Sequence, residues 1–191
     1  MGLFIAGLVI FLGVHSVAIV APAWREAQIA RRGDKAWKGL YSVVSIVGFA
    51  LLIYGYGVAR QTPVVLYTPP TALRHIALAL MLPVFPLLLA AYLPGRIKTA
   101  AKHPMLLAVK IWATAHLLAN GMLVDVLLFG SFLAWAVLDR IAAKRRAVPR
   151  SVPGAPPSPF NDAIALVGGL ALYAAFLMGL HLWMIGVSPL H

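Results

Sequence analysis

The chain contains no cysteine in its 191 residues, which excludes disulfides, thiolate metal sites and cysteine nucleophiles. Acid is almost as scarce: there are five Asp and Glu in all, and only Asp125 falls inside a long apolar segment. Paired-carboxylate catalysis and a carboxylate-bridged di-iron bundle therefore have no ligands to use. Charge of either sign makes up 11% of the residues. An ordinary soluble domain carries roughly 25%. No GxSxG elbow, P-loop or HExxH helix occurs, and there is no internal repeat at a fixed period.

What remains is apolar. Hydrophobic residues make up 62% of the chain and the mean hydropathy is +0.90. They come in long uncharged blocks rather than amphipathic periods, so the sequence reads as an all-α, polytopic transmembrane bundle forming one domain over residues 1–191. A span needs about 20 apolar residues. Six helices are expected, at about 2–23, 39–59, 75–93, 105–120, 122–141 and 163–187. The first has no basic leader and no small-residue cleavage site, so it reads as a retained helix. Asn161 and Asp162 read as N-cap residues of the last. Gln61–Thr71, with its three prolines, suits an extended loop, and Arg150–Pro159 reads as a Pro-rich linker without fixed structure.

Charge placement decides whether 105–141 is one helix or two. With a break near Asn120 and Gly121, thirteen of the sixteen basic residues fall on one face. They are Arg25, Arg31, Arg32, Lys35 and Lys38 in a first loop, Arg96, Lys98 and Lys102 in a second, and Arg140, Lys144, Arg145, Arg146 and Arg150 in a third. Arg60 and Arg74 take the other face, and Lys110 lies just inside the fourth helix. A single long helix would destroy that bias. The positive-inside rule then leaves both termini outside the cytoplasm. The net charge of +11 reports orientation and contact with anionic membrane lipid, not a nucleic-acid partner.

With carboxylates and thiols gone, six histidines carry the remaining chemistry. At 1.5 Å per residue, His15 lies about 12 Å and His116 about 18 Å above the inner boundary, both near mid-membrane. His75 and His181 belong to the outer leaflet, His103 to the basic loop, and His191 ends the chain. His15 and His116 are thus the pair able to share one buried ligand if their helices are adjacent. Two neutral imidazoles in an apolar bundle suit haem b. Trp112 and Asn120 share the His116 face and would line the same pocket. Interhelical His and Asn residues also serve simply as hydrogen-bonding partners, and the residues alone leave both readings open. Tyr54, Tyr56, Trp24 and Trp183 fit an interfacial aromatic belt, and Gly48 and Gly168-Gly169 fit close helix approach.

The segment KHPMLLAVKIWATAHLLANG from Lys102, followed by VLLFGSFLAWAVLDR and a basic run, resembles the NnrU family. So do GVHS at Gly13–Ser16, Gly39-Leu40-Tyr41-Ser42, and Tyr67-Thr68-Pro69-Pro70 before Leu73-Arg74-His75. The family is linked to nitrite and nitric oxide reduction in denitrifying bacteria and is similar to plant zeta-carotene isomerase, a haem b membrane enzyme. The resemblance implies the bacterial inner membrane and haem b with iron ligands at His15, in VHS, and His116, in TAH. It also implies a role supporting denitrification, with nitric oxide reductase or another redox protein as partner. A haem-dependent carotenoid cis-trans isomerase and a haem-free assembly factor or transporter are the alternatives. Two positions depart from the family pattern: Met122 replaces an acidic residue, and Lys102-His103-Pro104 replaces Arg-His-Pro.

Overall fold

In a computed structural model, residues 1–146 and 154–190 are described. Arg150, the first residues of the Pro-rich linker and His191 lie outside the described residues. The described residues form ten α-helices and no strand: α1 Gly2–Val20, α2 Pro22–Arg32, α3 Asp34–Ala59, α4 Thr71–Met81, α5 Val84–Tyr92, α6 Arg96–Ala101, α7 Pro104–Ala119, α8 Leu123–Arg145, α9 Asn161–Ala175 and α10 His181–Ile185. Five stretches are long and apolar enough to cross a membrane: Gly2–Val20, Asp34–Ala59, Thr71–Tyr92, Leu123–Arg145 and Asn161–Ile185. The sixth, Pro104–Ala119, is apolar but has only 16 residues. The lipid-facing character is explicit in the side chains left outside: Val9, Ile46, Ile53 and Val167 are exposed, and Met178 and Trp183 are each 81% exposed.

The expected loop at 24–38 is helical. Pro22 ends α1 by withholding an N–H, then serves as the first residue of α2, where that donor is not needed. Charge density hid this helix, because Arg25, Arg31 and Arg32 read as a loop. The third span is interrupted at Leu82-Pro83, where proline breaks the ladder between α4 and α5. The last span begins at Asn161 and passes through a widened turn, Phe176–Leu180, in which Gly179 leaves helical geometry. Asn161 and Asp162 do not cap it. Asp162 accepts hydrogen bonds from the backbone N–H groups of Arg96 (2.8 Å) and Ile97 (3.0 Å), so it caps α6. Asn161 Nδ2 donates to the carbonyls of Pro94 and Pro156.

The chain divides into two compact units, each discontinuous in sequence: Met1–Tyr67 with Gly121–Ala142, and Thr68–Asn120 with Ala143–His191. In the first, α1 and α3 run antiparallel with their backbones in contact. A Cβ on Gly7 would strike the Leu52 backbone and one on Gly55 the Phe4 backbone. The start of α8 closes this end, with Val124 packed among Phe4, Leu8, Leu52 and Ala59. The loop before α4 is tied to the start of α8 by a bridge between Val65 and Met122 and by Leu123 N–H to the Val64 carbonyl, 2.8 Å. The basic residues of α2, the start of α3 and Arg140 on α8 gather at the other end. In the second unit, α5 packs on α7 and α9, with Val84, Leu87 and Ala108 in the core and Gly169 against the Pro86 backbone. Arg96, Lys98 and Lys102 lie at the end where α5 stops and α7 starts.

The glycine contacts give a matched pair of outcomes. Gly55→Ala forces α1 away from α3 and should cost about 1–3 kcal/mol, as overpacking does. Gly57→Ala, two residues on with open space around it, should be neutral or slightly stabilising. Thermal unfolding in detergent, followed by circular dichroism, compares them.

Candidate functional site: two backbone-locked histidines

His15 sits on the inward side of α1, half-buried in the first unit. Its Nδ1 donates to the Phe11 carbonyl one turn earlier, 2.7 Å. A carbonyl can only accept, so Nδ1 carries the proton and the neutral ring keeps its lone pair on Nε2. The imidazole is enclosed by aromatic rings. Phe11 lies 4.3 Å away by ring centroid, Tyr41 of α3 at 5.3 Å, and Trp135 of α8 edge-on at 6.1 Å. Phe11 in turn packs on Phe49 and Phe132. Tyr41, Ser45 and Phe49 recur every four residues on one face of α3. Two polar atoms at this site, Ser45 Oγ and Trp135 Nε1, are buried without a hydrogen-bond partner. Unsatisfied buried donors are rare and mark a place where an acceptor is missing.

His116 repeats the device in the second unit. Its Nδ1 donates to the Trp112 carbonyl, 2.8 Å, and the Trp112 ring lies 5.2 Å from the imidazole. The lone pair again resides on Nε2. Asn120 turns its amide back on the helix: both Nδ2 and the backbone N–H bond the His116 carbonyl at 2.9 Å, closing the C-terminus of α7. His116 borders a small cavity of about 60 Å³ that Met81, Phe85, Tyr173, Phe176 and His181 also line. His181, which depth arithmetic assigns to the outer leaflet apart from His116, therefore shares a cavity with it. Its Nδ1 donates to the Val187 carbonyl, 2.6 Å, giving the same tautomer a third time. His75 is exposed, and His103 precedes α7 as its N-cap residue. No group of three or more His, Cys, Asp or Glu able to hold a metal ion occurs among the described residues.

One polar pair was not legible beforehand. Asp125, only 3% exposed, accepts a 2.6 Å hydrogen bond from the Tyr56 hydroxyl. Tyr56 is thus no belt residue, unlike the outward-facing Tyr54. The Arg60 guanidinium stands over its ring, 5.6 Å from the centroid. The i, i+4 spacing of Tyr56 and Arg60 was the available signal. Burial, and after it the Asp125 carboxylate, raises the pKa of Tyr67 in the adjoining loop. Tyr56→Phe strips Asp125 of this bond and should destabilise the chain by about 1–3 kcal/mol. Tyr56→Phe combined with Asp125→Leu should recover part of that loss, and unfolding midpoints of the single and double variants check it.

No curated protein and no solved structure matches the chain. A family model does: the one described as NnrU protein matches residues 3–189, nearly the full length and both units. An all-α membrane protein whose chain is matched throughout in this way belongs to the NnrU family.

Proposed function

We propose that the chain binds haem b with His15 and His116 as iron ligands and supports nitrite and nitric oxide reduction by handling electrons. One observation carries the reading. Both imidazoles are held by an Nδ1 hydrogen bond to the carbonyl four residues earlier, and each lies beside that residue's aromatic ring. Iron-ligating histidines are held in this way, with the second nitrogen fixed by a backbone carbonyl so that Nε2 presents its lone pair. The surroundings of His15 agree. Aromatic faces suit a flat apolar ring, and the unsatisfied Trp135 N–H and Ser45 hydroxyl suit an acceptor arriving with it. Haem b with two imidazole ligands supplies one-electron redox chemistry without an open coordination position, which favours electron transfer over turnover of a bulk metabolite.

The bacterial inner membrane, with both termini periplasmic, is the matching location. In each unit most of the basic residues gather at one end, Arg60, Arg74 and Lys110 apart, and α1 starts and α10 stops away from that end. That is the pattern positive-inside sorting produces.

Colour tests the proposal. Protein purified in mild detergent from cells supplied with a haem precursor should show a Soret band and the reduced spectrum of a six-coordinate b-type haem. His15→Ala and His116→Ala should each abolish or convert that spectrum, and His75→Ala should leave it intact. A colourless preparation that takes up no added haem sinks the reading. In a denitrifying host lacking the native gene, His15→Ala should fail to restore nitric oxide reduction that the unaltered chain restores.

A further inference from the structure

We propose that α2 is an interfacial helix that binds an anionic phospholipid, with the phosphate on the Arg25 guanidinium and the acyl chains against the exposed alanines and Trp24. The inference starts from where α2 lies. Its 11 residues reach about 16 Å, too short to cross about 30 Å of hydrocarbon. It joins the ends of α1 and α3, both long and apolar enough to span, so it sits at the level of the headgroups. Its faces are the reverse of those of a soluble surface helix, which turns its apolar stripe inward. Arg25, Gln28 and Ile29 are half-buried on the side where Arg25 meets Trp37 of α3. Ala23, Trp24, Ala27 and Ala30 are exposed, Trp24 by 53%. At headgroup level an outward apolar face is covered by lipid.

Arg25 supplies the specific contact. Gly33, at a φ of 84°, reverses the chain after α2, and the first turn of α3 brings Trp37 back to it. Trp37 is buried, the Arg25 guanidinium stands over its ring 6.0 Å from the centroid, and Trp24 meets the same ring edge-on at 5.8 Å. The stack orders the guanidinium through its face and leaves the in-plane N–H donors for a ligand. Among the described residues, no carboxylate or other acceptor meets them. The neighbouring cations differ: Arg32 spends its Nε–H on Gln28 at 3.1 Å, and Lys38 pairs with Asp34. A half-buried guanidinium with open donors favours an oxyanion, and its planar fork matches phosphate. Charge selects the lipid. Residues 22–38 hold Arg25, Arg31, Arg32, Lys35 and Lys38 against Glu26 and Asp34, so a headgroup with a net negative charge is favoured over a zwitterion. The site contains neither His15 nor His116 and does not rest on the haem reading.

The full chain, released from nanodiscs holding equal amounts of phosphatidylglycerol and phosphatidylcholine and weighed by native mass spectrometry, provides the test. At least one phosphatidylglycerol per chain should be retained in preference to phosphatidylcholine. Arg25→Gln should weaken the tightest of these about fivefold, the effect of one basic residue at an anionic surface. Arg25→Lys should recover only part of the loss, because an ammonium keeps the charge without the planar fork, and it remains informative where Arg25→Gln proves poorly folded by gel filtration. Lys35→Gln removes the same charge from an exposed neighbouring position and should leave retention unchanged. Equal retention of the two lipids, or phosphatidylglycerol held as tightly by Arg25→Gln, overturns the proposal. An equal loss in Lys35→Gln also overturns it, by assigning the binding to diffuse charge. Displacement of the lipid by equimolar glycerol 1-phosphate does the same, since phosphate alone would then suffice. The Soret band should be the same in all of these variants, so the haem reading stands or falls separately.

Discussion

Close approach of helix backbones is the constraint on which the rest depends. Lipid tails are as apolar as leucine, so helices in a bilayer gain little by hiding apolar side chains from each other and must associate through van der Waals contact. Here glycine provides it. At Gly48 a Cβ would lie 2.8 Å from the Phe11 N atom, and Phe11 is the residue whose carbonyl holds His15. The glycine face that joins α3 to α1 therefore also sets how near Tyr41 and Phe49 stand to Phe11 and His15. In the second unit Gly169 brings α9 onto α5 at Pro86, and Tyr173, one turn further along α9, reaches the Leu78 carbonyl. Packing and site are the same contacts seen from two sides.

A second economy follows from the medium. A buried N–H with no acceptor costs several kcal/mol in hydrocarbon, and the carboxylates that often meet imidazoles in soluble proteins are scarce in this sequence. The chain turns to backbone carbonyls, each of which has a second lone pair after its helical bond. His15 and His116 use the carbonyl four residues earlier, and His181 uses Val187 where α10 has ended. This satisfies the donor, selects the tautomer and limits ring rotation without adding a polar side chain to the span.

Much of this was legible because uncharged runs, prolines and basic clusters report directly on bilayer crossing. The break after Ala119 followed from charge bookkeeping, and the phenylalanine or tryptophan four residues before each of two histidines was there to be read. Other features needed coordinates. Helix α2 was hidden because its charge reads as loop, and the role of Asp162 because the N-terminus it caps lies 65 residues away in sequence. Depth counted at 1.5 Å per residue separated His181 from His116. That count assumes unbroken helices, whereas the last span widens at Phe176–Leu180 and the third breaks at Pro83. Tyr56 and Asp125, 69 residues apart, meet only because α3 and α8 do.

The shortage of acid that first excluded whole classes of chemistry also shapes the chemistry that remains. Asp125, a buried carboxyl of the spans, accepts the Tyr56 hydroxyl, and the Arg60 guanidinium stands over the Tyr56 ring. The histidine surroundings offer only neutral donors: imidazole, thioether, phenol and aromatic faces. A neutral donor set in a low-dielectric medium does nothing to offset added positive charge. The scarcity of Asp and Glu in these spans follows from the cost of carrying charge into the bilayer, and it leaves hydrogen bonding at the histidines to backbone carbonyls.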